Sequence, residues 1–381
     1  MRLNPMRATL ARRLVLAVVG LVVVVLVLQS SGPYRSTQWT ELAFLAIAAG
    51  GLTVLTGLSG QISLGHGALM AVGAYATAVL LEEGVTSITL LLVLSALAAL
   101  LVGGVAGAAA ARLSGPYLAG ATLALAIAVP GVALSIDRLG GATGMSIFMP
   151  DIPVWVADLA WFVTGQELNR SRYLAYIAWI TLIVVYVLLA NLMRSRVGRR
   201  WAAIRDDDVA AELAGINLAR SRISAFAVSA ACAGVAGCLL AFAVRLAAPT
   251  SFTLVLSLTL LSAVVLGGLG SLSGALLGSA LLTFLPPLAT DFGIARGLSD
   301  VKAAELAPLL YGVTMVLVII FAPSGLVGVL RRAWEATGQK WLPTSQDRPA
   351  SRDRSASQDR PTRPDPPDRI NQIRSTEKGT P

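Results

Sequence analysis

The sequence predicts an all-α polytopic membrane protein of about ten transmembrane helices with broken or re-entrant Gly-rich segments. Apolar runs long enough to cross a hydrocarbon core of ~30 Å, roughly 20 helical residues each, recur along most of the chain. Charged residues make up only 13% of the 381, against 55% hydrophobic ones, where a soluble domain carries about 25% charged. No ~10-residue segments of alternating polarity appear, so an outer-membrane barrel is excluded.

The first apolar run, 14–30, follows "MRLNPMRATLARR". That order of charge and apolarity is shared with signal peptides, but no small-x-small cleavage site follows, so a retained helix is expected after a cytoplasmic segment 1–13. Further helices are expected at 41–57, 64–81, 88–111, 117–136, 173–193, 223–243, 252–267, 272–290 and 304–321, giving a membrane domain over 14–330. Basic residues orient it. Arg2, Arg7, Arg12 and Arg13 precede the first helix. Arg194, Arg196, Arg199, Arg200, Arg205, Arg220 and Arg222 crowd the loop 194–222, and Arg331, Arg332 and Lys340 follow the last helix. Ten crossings put all three clusters on one side, which the positive-inside rule makes cytoplasmic, with both termini there. Nine crossings do not. On the other side lie Glu82 and Glu83 and the long segment 137–172. That segment is expected to hold an amphipathic or re-entrant piece carrying Trp155 and Trp161 at the interface. Residues 343–381 have no apolar run, many prolines, mixed charges and a repeated "SQDRP" at Ser345 and Ser357. A disordered cytoplasmic tail is expected there.

Several kinds of chemistry are excluded. The net charge of +9 records topology in such a chain, so no nucleic-acid partner is expected, only membrane lipid. None of the lysines completes a Gly-Lys-Ser/Thr phosphate loop, so the chain binds no ATP in that way. One histidine and two cysteines give no metal site. Cys232 and Cys238, six apart on one helix, are separated by about 9 Å of rise, beyond disulfide reach. The acidic residues cluster at loops and helix ends, so the intramembrane charges of proton-coupled carriers are missing.

Two stretches remain. In "GLSGQISLGHGALMAVGAYATAVLL", Gly57 to Leu81, a membrane-bound run opens with groups lipid cannot solvate. Gly57, Gly60, Gly65 and Gly67 permit close backbone approach and a helix break. Polar side chains beside such a break are tolerable only facing protein or a wet cavity. Ser59, Gln61, Ser63 and His66 are therefore candidates either for lining a solute pathway or for tying the break to its neighbours. Gln61 is assigned to the pathway and His66 to structure. "GGLGSLSG", Gly267 to Gly274, reads as a counterpart break. Within the basic loop, "RDDDVAAELAGI" reads as a short helix: Asp206, Asp207 and Asp208 supply a cap and favourable charge, Val209, Leu213 and Ile216 an apolar edge, and Gly215 the end. It is either a topological surface loop or an amphipathic docking element.

The ordered blocks "GLSGQISLGHGALMAVGAYATA", "LSGPYLAGATLALA", "GGATGM", "GRRWAAIRDDDVAAELAGIN", "VLGGLGSLSGALLGSALL" and "FAPSGLVGVL" together resemble the membrane subunit of branched-chain amino acid ABC importers, the LivM-like permeases, from about residue 40 to 330. The resemblance implies a coupling segment that inserts into an ATPase, containing Ala211, Glu212 and Gly215, with Arg205 and Asp206 to Asp208 beside it. It adds Tyr117, Thr122 and Thr143 to the pathway candidates. It also implies a second, LivH-like permease subunit, two ATP-binding cassette subunits that use ATP and Mg, and an extracytoplasmic solute-binding protein, in a bacterial inner membrane. This chain itself would be no enzyme and bind no cofactor. A polar Glu or Gln of many relatives is Ile127 here, and an Asp or Asn is Thr143. The solute is thus open between branched-chain amino acids, other amino acids, and urea or short amides. A carrier or channel acting alone is the different-class alternative. It would not need the docking helix.

Overall fold

The computed structural model describes residues 20, 22–111, 113, 116–165, 167–321, 325–329 and 332. The N-terminal segment, residues 14–19 and 21 of the first expected helix and the tail 343–381 lie outside them. The helical stretch 22–29 is labelled α1. Then come α2 (Pro33–Leu52), α3 (His66–Glu82), α4 (Ile88–Ala110), α5 (Pro116–Ser135), α6 (Val154–Thr164), α7 (Arg170–Arg194), α8 (Arg196–Asp206), α9 (Asp208–Leu213), α10 (Leu218–Val244), α11 (Leu254–Gly267), α12 (Leu272–Ala295) and α13 (Asp300–Phe321). Among the described residues, eight helices are long and apolar enough to cross a membrane, and α3 is a shorter apolar one. The chain is a multi-pass helical membrane protein.

Helix boundaries depart from the sequence reading where polar residues satisfy themselves. α2 begins at Pro33 rather than 41, because Pro33 starts the helix and the Ser36 and Thr40 hydroxyls donate back to Gly32 O (3.1 Å) and Ser36 O (3.0 Å). α10 begins at Leu218 rather than 223, with Asn217 accepting from Arg220 N at 2.9 Å, so its arginines ride inside the first turns. α12 continues past 290 to Ala295 despite Pro286 and Pro287. Residues 137–172 hold α6, with Trp155 and Trp161 exposed, as expected for an interfacial piece. The same segment also pairs Met145–Ser146 antiparallel with Leu246–Ala247, a two-stranded clip that no sequence period announces.

α10 is the hub. It packs most extensively on α4, then on α3 and α2. Its glycines make this possible: a Cβ on Gly234 would lie 2.4 Å from Ser95 O of α4, and one on Gly73 of α3 would lie 2.2 Å from Gly234 O. Small residues at helix crossings are how spans pack tightly when lipid supplies no hydrophobic drive. The other face of α2 is pinned by aromatics. Trp39 meets Trp179 of α7 and Phe284 of α12 edge-on, at 5.9 and 5.0 Å between ring centres. Trp179 Nε1 donates to Trp39 O and the Tyr186 hydroxyl to Ala46 O, at 3.0 and 2.9 Å. The α2 span is consequently 83% buried within the chain, whereas the described span of α13 is 7% buried and faces outward. Cys232 and Cys238 are free and buried, consistent with packing roles.

Candidate functional site

α2 does not end at Leu52 but widens into a π-helical stretch, Thr53–Leu58, then stops at Ser59. Gly60 turns with φ +70°, and the chain runs without helix to Gly65 before α3 starts at His66. π-segments cluster at functional sites. At 17 residues α3 is only about 25 Å long, so the break makes up the rest of this crossing.

The polar groups at the break are answered one by one from surrounding elements. Gln61 N donates to Leu55 O (3.2 Å) and the Thr56 hydroxyl to Gln61 O (3.1 Å). Gln61 Nε2 donates to Ser59 Oγ and, at 3.3 Å, to Arg222 O at the start of α10. Ser63 Oγ accepts from Gly65 N at 3.4 Å. Leu64 N donates to Thr122 Oγ1 of α5 at 2.9 Å, and Thr122 in turn donates to Ala119 O at 3.0 Å. Gly67 N donates to Ser257 Oγ of α11 at 2.9 Å. His66 Nε2 donates to Ala48 O of α2 at 3.2 Å, which fixes the tautomer and leaves Nδ1 buried without a partner. Helices α2, α5, α10 and α11 thus solvate a segment that lipid cannot.

Five of the seven pathway candidates, Ser59, Gln61, Ser63, His66 and Thr122, are brought together here, all buried. Tyr117 sits apart, 76% exposed near the start of α5. Thr143 lies beyond the far end of α5, exposed, its hydroxyl donating to Gly140 O at 2.9 Å within a turn. Ser257 was missed in the sequence. Its only signal is a small hydroxyl in a mostly apolar run that also holds Thr259 and Ser262. The counterpart break is present too: α11 ends at Gly267, Gly268 and Gly270 have φ of +118° and +80°, and α12 starts at Leu272. The two breaks touch, since a Cβ on Gly57 would lie 2.3 Å from Gly270 N.

Against the same end of the bundle sits the basic loop, which folds as two helices where one was expected. Ser195 caps α8, accepting from Val197 N at 3.1 Å and Gly198 N at 3.4 Å, and Trp201 is buried, its Nε1 donating to Ser221 O and Ser224 Oγ, both at 3.0 Å. Arg205 Nη1 donates to Gly57 O. Asp207 caps α9, accepting from Ala210 N at 3.0 Å, and Asp208 pairs with Arg222 at 3.2 Å. Asp206, Asp207, Asp208 and Glu212 are exposed, and Ala211 is buried. Gly215 ends the turn at φ +82°, its N–H donating to Glu212 O at 2.9 Å. Val209 and Leu213 are left exposed, Leu213 at 85%. At the opposite end of α2, α7 and α10 a cleft of about 200 Å³ opens, lined by Thr37, Thr40, Phe148, Arg170, Leu174 and Arg245. Among the described residues, no group of three His, Cys, Asp or Glu side chains is placed to hold a metal.

A multi-pass bundle with two touching helix breaks and a helical loop bonded against them has the build of a membrane transport subunit rather than an enzyme. The chain belongs to the family described as branched-chain amino acid transport system, permease component, whose model matches residues 34–319. It is 31% identical to the high-affinity branched-chain amino acid transport system permease protein LivM of Escherichia coli K12, over 81% of this chain and 75% of that one. It is also 27% identical to the high-affinity branched-chain amino acid transport system permease protein BraD of Pseudomonas aeruginosa, over 74% of this chain and 91% of that one. At 26% identity it matches the fructose import permease protein FruG of Bifidobacterium longum, over 80% and 84% of the two chains. No solved structure matches the chain.

Proposed function

We infer that this chain is the membrane-spanning permease subunit of an ATP-driven importer of branched-chain or related amino acids. It forms half of a translocation path with a second, LivH-like permease subunit. Two ATP-binding cassette subunits dock on the α8–α9 loop and use ATP and Mg there, while an extracytoplasmic solute-binding protein delivers the solute from the other side. The chain itself binds no cofactor. The arginine clusters support a reading in which both termini and the α8–α9 loop lie in the cytoplasm of a bacterial inner membrane. The observation that carries the reading is the exposed apolar pair Val209 and Leu213 on the capped helix α9, which packs on α8, the helix tied to the broken span through Arg205. An autonomous carrier has no use for such a helix. The amino-acid solute rests on the names of the more similar relatives, LivM and BraD.

The test is uptake of labelled leucine, isoleucine, valine, urea and fructose into proteoliposomes holding the assembled complex, with and without internal ATP. Uptake of branched-chain amino acids that requires ATP and the binding protein is expected. Uptake by this chain alone would sink the reading in favour of a secondary carrier.

A further inference from the structure

Arg205 stands where three segments of the chain meet. Its guanidinium donates to the carbonyl of Gly57, in the last turn before the first helix break. A Cβ on Gly60 would lie 3.4 Å from Arg205 Cγ, and one on Gly270 would lie 3.8 Å from Arg205 Nη1, so the same side chain borders both breaks. Its backbone belongs to the last turn of α8, immediately before the aspartates that cap α9. The C-terminal end of the loop is tied to the same place. Gln61 holds Arg222 O, and the Arg222 guanidinium holds Asp208 of α9. The break is thereby bonded both to the α8–α9 junction and to the end of the loop, across 148 and 161 residues of sequence. Carbonyls in the final turn of a helix lack intrahelical donors, and a cation there is favoured by the helix dipole. Displacing the loop must therefore either break this bond or move the end of the helix with it.

The geometry points to Arg205 as the positioning residue that transmits displacement of the α8–α9 loop to the two touching helix breaks. This rests on the permease reading above. A planar guanidinium holds a carbonyl along a fixed direction while its stem lies against Gly60, which an ammonium on a flexible stem reproduces only in part.

The test uses the full complex in proteoliposomes, with uptake and ATP hydrolysis measured in the same vesicles for the unsubstituted chain, Arg205→Gln and Arg205→Lys. Arg205→Gln is expected to assemble and hydrolyse ATP while uptake per ATP falls about tenfold, within the usual range of coupling between sites. Arg205→Lys is expected to recover part of the loss. In a second readout, thiol labelling of Ser59→Cys is expected to change rate on adding ATP, and to lose that response when Arg205→Gln is added. Unchanged uptake per ATP in Arg205→Gln would overturn the assignment. So would reduced assembly and melting temperature with that ratio and the Ser59→Cys response intact, which would make Arg205 a structural tie only. Absence of ATP-driven uptake in the unsubstituted complex would instead remove the permease reading, and this assignment with it, and is visible before any variant is made.

Discussion

Gln61 is 4% exposed, and its carboxamide ties Ser59, at the end of the π-helical stretch, to the start of α10. Gln61→Ala leaves Ser59 Oγ and Arg222 O without that donor. The expected loss is about 1–3 kcal/mol of stability, the cost of buried groups left unpaired, read as a lower melting temperature in detergent. His66→Ala removes a fully buried ring and its bond to α2, with a loss of similar size. Uptake per assembled complex decides the roles: reduced turnover beyond the loss of assembly makes the residue part of the pathway, and unchanged turnover makes it a tie. The cluster of polar residues at this break was legible because polar groups inside an apolar run stand out in composition. Their partners were not. Ser257 is 190 residues from Gly67, and one serine in an apolar helix looks like any other. Tyr117 and Thr143 entered through the resemblance: Tyr117 shares α5 with Thr122 but is exposed, and Thr143 lies beyond the far end of that 20-residue helix.

At the scale of elements, α9 was readable because its signals are local: Asp207 caps it, Gly215 ends it, and both act within three residues. α8 was not, because four arginines hide its apolar side, and only the buried Trp201, Gly198 and Ile204 show which face packs. The docking role of α9 yields an expectation of its own. Glu212→Lys reverses an exposed charge, and Gly215→Pro forces φ to about −65° where the chain needs +82° and removes the N–H held by Glu212 O. Both are expected to abolish uptake with the subunit at normal abundance in the membrane, as measured by immunoblot beside transport. Normal uptake by either variant at full expression counts against docking through this helix. The crossing of α3 with α10 has no such tolerance. A Cβ on Gly237 would lie 1.9 Å from Met70 O, so Gly237→Ala must push the helices apart and is expected to destabilise by about 1–3 kcal/mol, checked by thermal unfolding.

For the molecule as a whole, the class and the approximate number of crossings followed from hydropathy alone, since every span must satisfy its backbone internally and so reads as a continuous run. Helix ends shifted by up to eight residues where hydroxyls bonded their own backbone, and the β clip between residues 145–146 and 246–247 lay beyond any periodicity. The orientation makes an independent expectation. Cysteine at Leu213 should react with an impermeant thiol reagent only after the membrane is opened, and cysteine at Phe148, exposed near the opposite end, should react in intact spheroplasts. The reverse pattern would invert the topology. The buried Cys232 and Cys238 give little background in such labelling. The long-range ties of the break also have a consequence for how the chain is made. The segment leaves the ribosome early, yet its bonds to Arg222 O and Ser257 Oγ await partners 161 and 190 residues downstream. At a synthesis rate of about 5–20 residues per second, its amides wait roughly 10 to 40 s for the helices that complete them. Through that interval the insertion machinery or interfacial water must stand in for α10 and α11, so the newborn chain is most vulnerable to proteolysis and wrong pairing while its central span is present and its hub is not.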